Sequence, residues 1–187
     1  MKVASIAGAK VILRSPTRGD AAEFIALSRA SKDFHRGRVA PPITPEQFAD
    51  FLKRSRQETS SCFLICLAAT GAIIGAVNLS QIFRGGFQSA YLGYYLGAQH
   101  AGQGYMTEAL RLMLKHAFEN LKLHRLEANI QPGNLASIAL VKRAGFRKEG
   151  YSRRYLKIGG RWRDHERWAI IAEDWKSRGK DRNVARN

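Results

Sequence analysis

Acidic residues are the first scarcity: 15 Asp and Glu stand against 31 Lys and Arg, a formal net charge of +16 over 187 residues. A field of that sign draws a protein toward RNA, ribosomes or other acidic partners, although charge alone names no target. Cysteine is nearly absent. Cys62 and Cys66 are the only two, four apart in one apolar run, so on a strand both would face the same side. Neither a bridge between them nor a zinc site fits that spacing, and two buried thiols in a reducing compartment are expected. Long hydrophobic runs are missing too. Cys62–Ala69 and Ala72–Leu79 are strand-sized, well short of the roughly 20 residues that cross a bilayer. The opening Met1-Lys2-Val3-Ala4-Ser5 has no long apolar h-region, which points away from secretion and toward the cytoplasm. No internal repeat, low-complexity tract or Pro/Gly-rich linker divides the chain. What remains is ordinary globular composition, 45% hydrophobic and 25% charged. It reads as one domain over 1–175 followed by a polar, basic tail over 176–187.

Periodicity supplies the elements. Lys10–Arg14 reads as a first strand, and Thr17 or Asp20 as the cap of a helix to about Arg29 with Phe24, Ile25 and Ser28 on one face. Ser31–Pro42 is irregular and basic. Thr44 caps a second helix, with Pro45 at its first position, Gln47 closing a capping box, and Phe48, Phe51 and Leu52 on its apolar side. Ser61–Ala69 and Ala72–Ile82 are strands around Thr70-Gly71, and Gln88–Gly97 continues the series. Tyr105–Asn120 is an amphipathic helix whose wet side carries Glu108, Arg111, Lys115 and Glu119. Arg125–Gln131 is a strand, and Asn134–Ala144 a helix with Asn134 as N-cap and Gly145 as stop. Tyr151–Ile158 and Arg161–Ile171 form a hairpin about Gly159-Gly160, with Trp162 and Trp168 on one face, expected in a core or interface. Consecutive hairpins exclude a doubly wound parallel sheet. An α/β (α+β) domain with a mixed, mostly antiparallel sheet and helices on both faces is expected.

The chemistry lies in Tyr94–Met106, where a strand feeds a glycine turn and the turn opens a helix. Gly102 and Gly104 let the backbone approach closely, and successive N–H groups before a helix N-terminus make a nest suited to pyrophosphate. A dinucleotide fingerprint would need glycine at Thr107, and a phosphate-binding P-loop would need Gly-Lys-Ser/Thr; neither is there.

Gln99-x-x-Gly102-x-Gly104 resembles the acyl-CoA signature of the GNAT superfamily of N-acetyltransferases. The resemblance continues through His124–Asn129, Asn134-x-x-Ser137, Ala144-Gly145-Phe146, Glu149-Gly150-Tyr151 and Gly160-x-Trp162-x-Asp164. It covers most of Val11–Trp175, and the order of the motifs is similar to that of the Rim-type subgroup, which acetylates N-terminal amines of ribosomal proteins. The resemblance implies a GNAT-like domain whose central strands Tyr91–Gly97 and Arg125–Gln131 splay apart. Acetyl-CoA, the acetyl donor, then lies in the gap. It implies cofactor contacts from Leu96, Gly97, Gln99, Gly102, Gln103, Gly104, Tyr105 and Met106, with a backbone N–H near Leu96 facing the developing oxyanion and Asn134 holding the pantetheine. No metal is implied.

Acid and base are less directly read. Many GNAT enzymes carry a tyrosine where this chain has Val141, whereas Rim-type enzymes match at Ser137, which the resemblance makes the donor to the leaving thiolate. The subgroup's carboxylate falls on Arg154, which takes up no proton near neutrality. Asp164, His165 and Glu166 are nearby substitutes, and a two-residue turn would set Tyr155 opposite Asp164 and Arg153 opposite Glu166, the latter a salt bridge. Because an α-amine titrates near neutrality, a water chain without a dedicated base is the other option, and the base stays open. The acceptor implied is a protein N-terminal amine, with possible ribosome or RNA association, no membrane, and a monomer or homodimer. A small-amine acetyltransferase, for polyamines or aminoglycosides, and a non-catalytic RNA-binding module of the same fold are the alternatives.

Overall fold

The computed structural model describes residues 5–177. Its frame is an eight-stranded sheet in the order β1-β2-β3-β4-β5-β6-β8-β7. The strands are β1 (Ser5–Ala7), β2 (Val11–Arg14), β3 (Ser61–Leu67), β4 (Ile73–Phe83), β5 (Ser89–Leu96), β6 (Arg125–Ile130), β7 (Arg147–Ile158) and β8 (Arg161–Ile171). All neighbours are antiparallel except β5 and β6. That one parallel contact is made by a helical crossover, as parallel strands require. The crossover is α4 (Tyr105–Lys115), and α5 (Leu135–Ala144) packs on the same face. The opposite face carries α1 (Ala21–Ala30) and α3 (Pro45–Arg54). The mixed sheet with helices on both faces is therefore as the sequence implies.

Alternation along the strands feeds two cores. Phe63 and Ile65 of β3 join Leu110, Met113 and Trp168 in the larger cluster, while Leu64 and Cys66 join Phe24, Phe48 and Phe51 in the smaller. Cys62 and Cys66 are both free and both pack against that smaller cluster. Trp168 is buried, but Trp162 is 60% exposed near the hairpin tip, so only one of the pair serves the core.

Local chemistry shifts several boundaries. A short strand, β1, precedes the expected first one, and the turn between them is closed from a distance by Glu108, whose carboxylate accepts from the Ala9 and Lys10 amides. Glu108 thus faces the β1–β2 turn rather than simply the solvent. Asp20 occupies the N-cap position of α1 without bonding its amides, and Thr17 forms a capping box with it one turn earlier, over Arg18–Asp20. The Asp20 carboxylate turns back to accept from Arg14 and from the Thr17 amide and hydroxyl. The irregular stretch after Ala30 contains a single helical turn, α2 (Lys32–His35). The expected capping box at α3 is displaced by one residue: Gln47 accepts from Ile43 N at 2.8 Å rather than from Thr44 N. The helix after the glycine loop relaxes into a π-turn at His116–Asn120. β7 begins at Arg147, not Tyr151, and bulges between Ser152 and Leu156. Of the expected tail, 176–177 finish a helical turn and the rest lies outside the described residues.

Thr44 Oγ1 does accept from Gln47 N at 3.3 Å. Thr44→Ala is expected to lower stability by about 1 kcal/mol, the usual cost of losing an N-cap. Urea melts of the two proteins measure it, and coincident midpoints would show that the cap contributes nothing.

Candidate active site

The hydrogen-bond register opens the sheet at its centre. β5 and β6 pair only at Ser89–Arg125, Ala90–Leu126 and Tyr91–Glu127, and beyond Tyr91 the two strands diverge. On the other side of β5, Gly97 N donates to the Ile74 carbonyl at 2.8 Å, which makes Leu96 and Gly75 a non-hydrogen-bonded pair. The N–H and C=O of Leu96 therefore point away from β4 and into the gap. A cavity of about 560 Å³ fills the divergence and runs from the glycine loop to the β7–β8 hairpin.

At one end stands the nest. Gly102 and Gly104 both take left-handed backbone, with φ of 77° and 82°, and Gly104 is the N-cap of α4, with no side chain to occupy the helix's first amides. Lys10 Nζ lies 3.9 Å from where a Cβ on Gly104 would sit. The β1–β2 turn that Glu108 holds in place thus brings a cation beside the nest. Lys10 is remote in sequence and was not foreseen as a site residue.

Of the foreseen cofactor residues, Leu96, Gly102, Gly104, Met106 and Asn134 line the cavity, and Ser137 does too. Gly97, Gln99, Gln103 and Tyr105 lie beside it. The Gly97 amide is committed to β4, Gln103 Nε2 donates to the Gln99 carbonyl at 2.7 Å, and the Tyr105 ring packs edge-on to His100. These residues shape the loop. Asn134 caps α5 by accepting from Ser137 N at 3.3 Å.

Below Ser137 sits Tyr94, on the same face of β5 as Leu92 and Leu96. Burial pushes its phenol up to about 12, and the nearby Ser137 side chain offsets this only in part. The two side chains do not meet in hydrogen-bond geometry, and Tyr94 Oη is a buried hydroxyl without a partner. A buried polar group left unpaired costs stability, and such atoms gather where a ligand completes them. The neighbour of Tyr94 on α5 was not legible in the sequence.

The other end of the cavity is bordered by Phe34, His35 and Arg38 around α2, and by Leu156, Ile158 and His165 on the hairpin. Gln131 Nε2 ties β6 to the Gly37 carbonyl at 2.7 Å and fixes that wall. No Asp or Glu lines the cavity among the described residues. The bulge decides this. Tyr151, not Arg153, stands opposite Glu166, and the expected Arg153–Glu166 bridge is replaced by Lys148–Glu166. Glu166 also accepts from Trp168 Nε1 at 3.0 Å. Asp164 accepts from Tyr151 Oη and from Arg154 N, and those bonds hold it below the usual carboxylate range. Both carboxylates are engaged outside the cavity. Of the three substitutes for a base, His165 alone borders it.

A split central sheet, a strand edge turned into the gap and a glycine nest at a helix N-terminus together make a cleft with backbone donors for a phosphate-bearing, extended ligand. A family model for the acetyltransferase (GNAT) domain matches residues 10–147, and the chain belongs to that family, whose members are N-acetyltransferases using acetyl-CoA. It is 38% identical to "Probable N-acetyltransferase YjcK" of Bacillus subtilis, over 89% of this chain and 97% of the relative. It is 44% identical to the "[Ribosomal protein uS5]-alanine N-acetyltransferase" of Escherichia coli over 103 residues, 55% of this chain and 53% of that one. Among solved structures it resembles Mycobacterium smegmatis RimJ in complex with CoA-disulfide, at a TM-score of 0.80 and 28% identity, covering 95% and 92% of the two chains. No described helix is long and apolar enough to cross a membrane, and no described cluster of His, Cys, Asp and Glu is arranged to hold a metal ion.

Proposed function

We propose that this protein transfers the acetyl group of acetyl-CoA to the N-terminal amine of a protein, with a ribosomal protein as the favoured acceptor class. One observation carries the choice of acceptor: the cavity's acceptor end is walled by Phe34, Arg38, Leu156 and Ile158, and no carboxylate among the described residues lines it. A polyamine or aminoglycoside carries several positive charges, and transferring it there without a counter-charge is unfavourable. A peptide N-terminus brings one amine, which titrates near neutrality, and an extended backbone. The net charge of +16 acts in the same direction, repelling free cations and drawing the enzyme toward RNA-rich particles.

The residues fit the donor. Amides at Gly102–Met106 would hold the pyrophosphate, with Lys10 adding charge beside them, and the free Leu96 edge would pair with the pantetheine arm. The Leu96 N–H would face the acetyl oxygen as it gains charge, the placement that electrostatic catalysis requires. Asn134 and Ser137 both line the cavity; Asn134 would hold the same arm, and Ser137 would protonate the departing sulfur. Turnover should be compared on an N-terminal alanine peptide, spermidine and an aminoglycoside at matched concentrations, with mass spectrometry locating the acetyl group. The peptide is expected to be modified at its α-amine and spermidine at most weakly. Exclusive modification of a small amine would overturn the protein acceptor and leave the acetyltransferase class intact. Co-sedimentation with ribosomes is expected to fall as salt rises.

A further inference from the structure

The acetyl transfer needs somewhere for the proton of the attacking amine to go, and the two carboxylates near the hairpin are engaged elsewhere. We propose that His165, through Nε2, takes that proton, and that Asn129 Oδ1 accepts the amine's other N–H. The inference rests on the acetyltransferase reading of the cavity and adds to it the group that faces the acceptor.

Placement comes first. His165 borders the cavity, has 1% of its surface exposed, and packs edge-on to the Tyr155 ring. Its Nδ1 lies 3.0 Å from the Arg163 carbonyl, and since a carbonyl only accepts, Nδ1 carries the hydrogen. Nε2 is then the nitrogen with the lone pair. Fixing one ring nitrogen on a backbone carbonyl is how proteins choose the tautomer of a working histidine. Asn129 reaches the same cavity from β6, directly across from Arg167 and so diagonal to His165. Its Oδ1 is buried with no hydrogen-bond partner.

Strand parity puts the two ends of the reaction on opposite faces. Leu126, Ala128 and Ile130 of β6, with Trp168 and Ile170 of β8, face α4 and α5 in the larger core. Asn129 and His165 alternate with them and face the α2 side, as Phe34 and His35 do from across the cavity. Ser137 and Tyr94 lie on the α4–α5 face. An amine arriving past α2 meets His165 and Asn129, while sulfur leaves toward Ser137. The N–C bond forms as the C–S bond breaks, one proton passes from nitrogen to His165 Nε2, another passes to sulfur from Ser137 Oγ, and the serine regains its proton from solvent. The imidazolium then returns its proton to solvent.

The charges around the ring decide when it is ready. Burial lowers the pKa of His165, and the Arg163 carbonyl and the neighbouring Asp164 oppose this only in part. Tyr155 faces it from β7, and His35, Arg38 and Arg143 line the cavity from α2 and α5. A neutral imidazole at pH 7 is a competent acceptor. His35 is the rival. Its ring packs edge-on to Phe34 and Tyr95, and burial and then Arg38 lower its pKa, but no bond comparable to that from Arg163 fixes its tautomer.

His165→Asn keeps a side-chain N–H for the Arg163 carbonyl and removes the base. With an N-terminal alanine peptide and acetyl-CoA, it is expected to lower kcat about 30-fold at pH 7, below the usual hundredfold or more for general-base catalysis because part of the α-amine is already deprotonated. The deficit should shrink severalfold by pH 9, as more of the amine arrives deprotonated. Acetyl-CoA affinity by calorimetry should stay within twofold. In His165→Ala, added imidazole should restore turnover in proportion to its neutral fraction, and Asn129→Ala should raise the peptide KM. The proposal is overturned if His165→Asn stays within twofold of wild type from pH 6 to 9. It is equally overturned by a loss constant with pH and without imidazole rescue, or if His35→Asn gives the pH-dependent loss instead. Should wild type ignore the peptide, the same variants measured on whichever amine it acetylates decide the role of His165 separately from the acceptor.

Discussion

Gly104→Val is expected to weaken the binding of acetyl-CoA about a hundredfold or more while leaving a folded protein. Space is not the obstacle, because a Cβ at Gly104 would meet only Lys10 Nζ, at 3.9 Å. The obstacle is φ of 82°, which a β-branched residue adopts only at a cost of about 1–3 kcal/mol. The valine variant escapes that strain by rotating the peptide units on either side, and those units carry the amides of the nest. A hydrogen bond to a charged group contributes about 1.5–3 kcal/mol, so misdirecting two of them accounts for the hundredfold loss. Gly104→Asn separates conformation from bulk. Asparagine tolerates left-handed backbone, and its loss should be several times smaller. Lys10→Ala should weaken binding more at low salt than at high, since the ammonium of an exposed lysine acts through a screened field. Calorimetry with CoA measures all three, with thermal melts reporting folding. Unchanged affinity in a folded Gly104→Val protein would mean the pyrophosphate is held elsewhere.

The glycine loop was legible because its signals are local. Two glycines ahead of a strongly periodic helix predict positive φ and free amides without reference to any other strand. Long-range pairing was not legible. β1 is three residues held by a turn whose closing carboxylate, Glu108, is nearly a hundred positions away. The inward turn of Leu96 follows from its register with Gly75, and register is a property of two strands together. The sorting of Asp164, His165 and Glu166 depended on the β7 bulge. From the turn to Leu156 the pairing follows the two-residue hairpin, but by Ser152 the partner is His165, two positions off the simple count. Arg154, at φ of 47°, absorbs the extra length in a conformation that no sequence signal there announces.

Ser137→Ala is expected to lower kcat about a hundredfold, the low end of general-acid catalysis, with acetyl-CoA affinity nearly unchanged. The main-chain cap survives, since Asn134 Oδ1 bonds the amide at position 137 and not its side chain. Tyr94 sharpens the test. In the free protein its hydroxyl is buried and unpaired, a standing cost of about 1–3 kcal/mol. Folding alone gives no reason to keep it, so Tyr94→Phe should leave stability unchanged or raise it by about 1 kcal/mol. If the phenol instead serves the reaction, donating to Ser137 Oγ so that the serine proton points at sulfur, the same variant should lose turnover about tenfold or more. Burial that drives the phenol up to about 12 suits that task, for it keeps Tyr94 a neutral donor throughout the working pH range. Hydroxyls that act as one unit are not additive, so the double variant should be scarcely slower than Ser137→Ala. Melting curves and single-turnover rates on the four proteins decide it. A Tyr94→Phe protein that is both less stable and fully active would assign the hydroxyl to packing, and one whose loss simply multiplies with that of Ser137→Ala would separate the two residues.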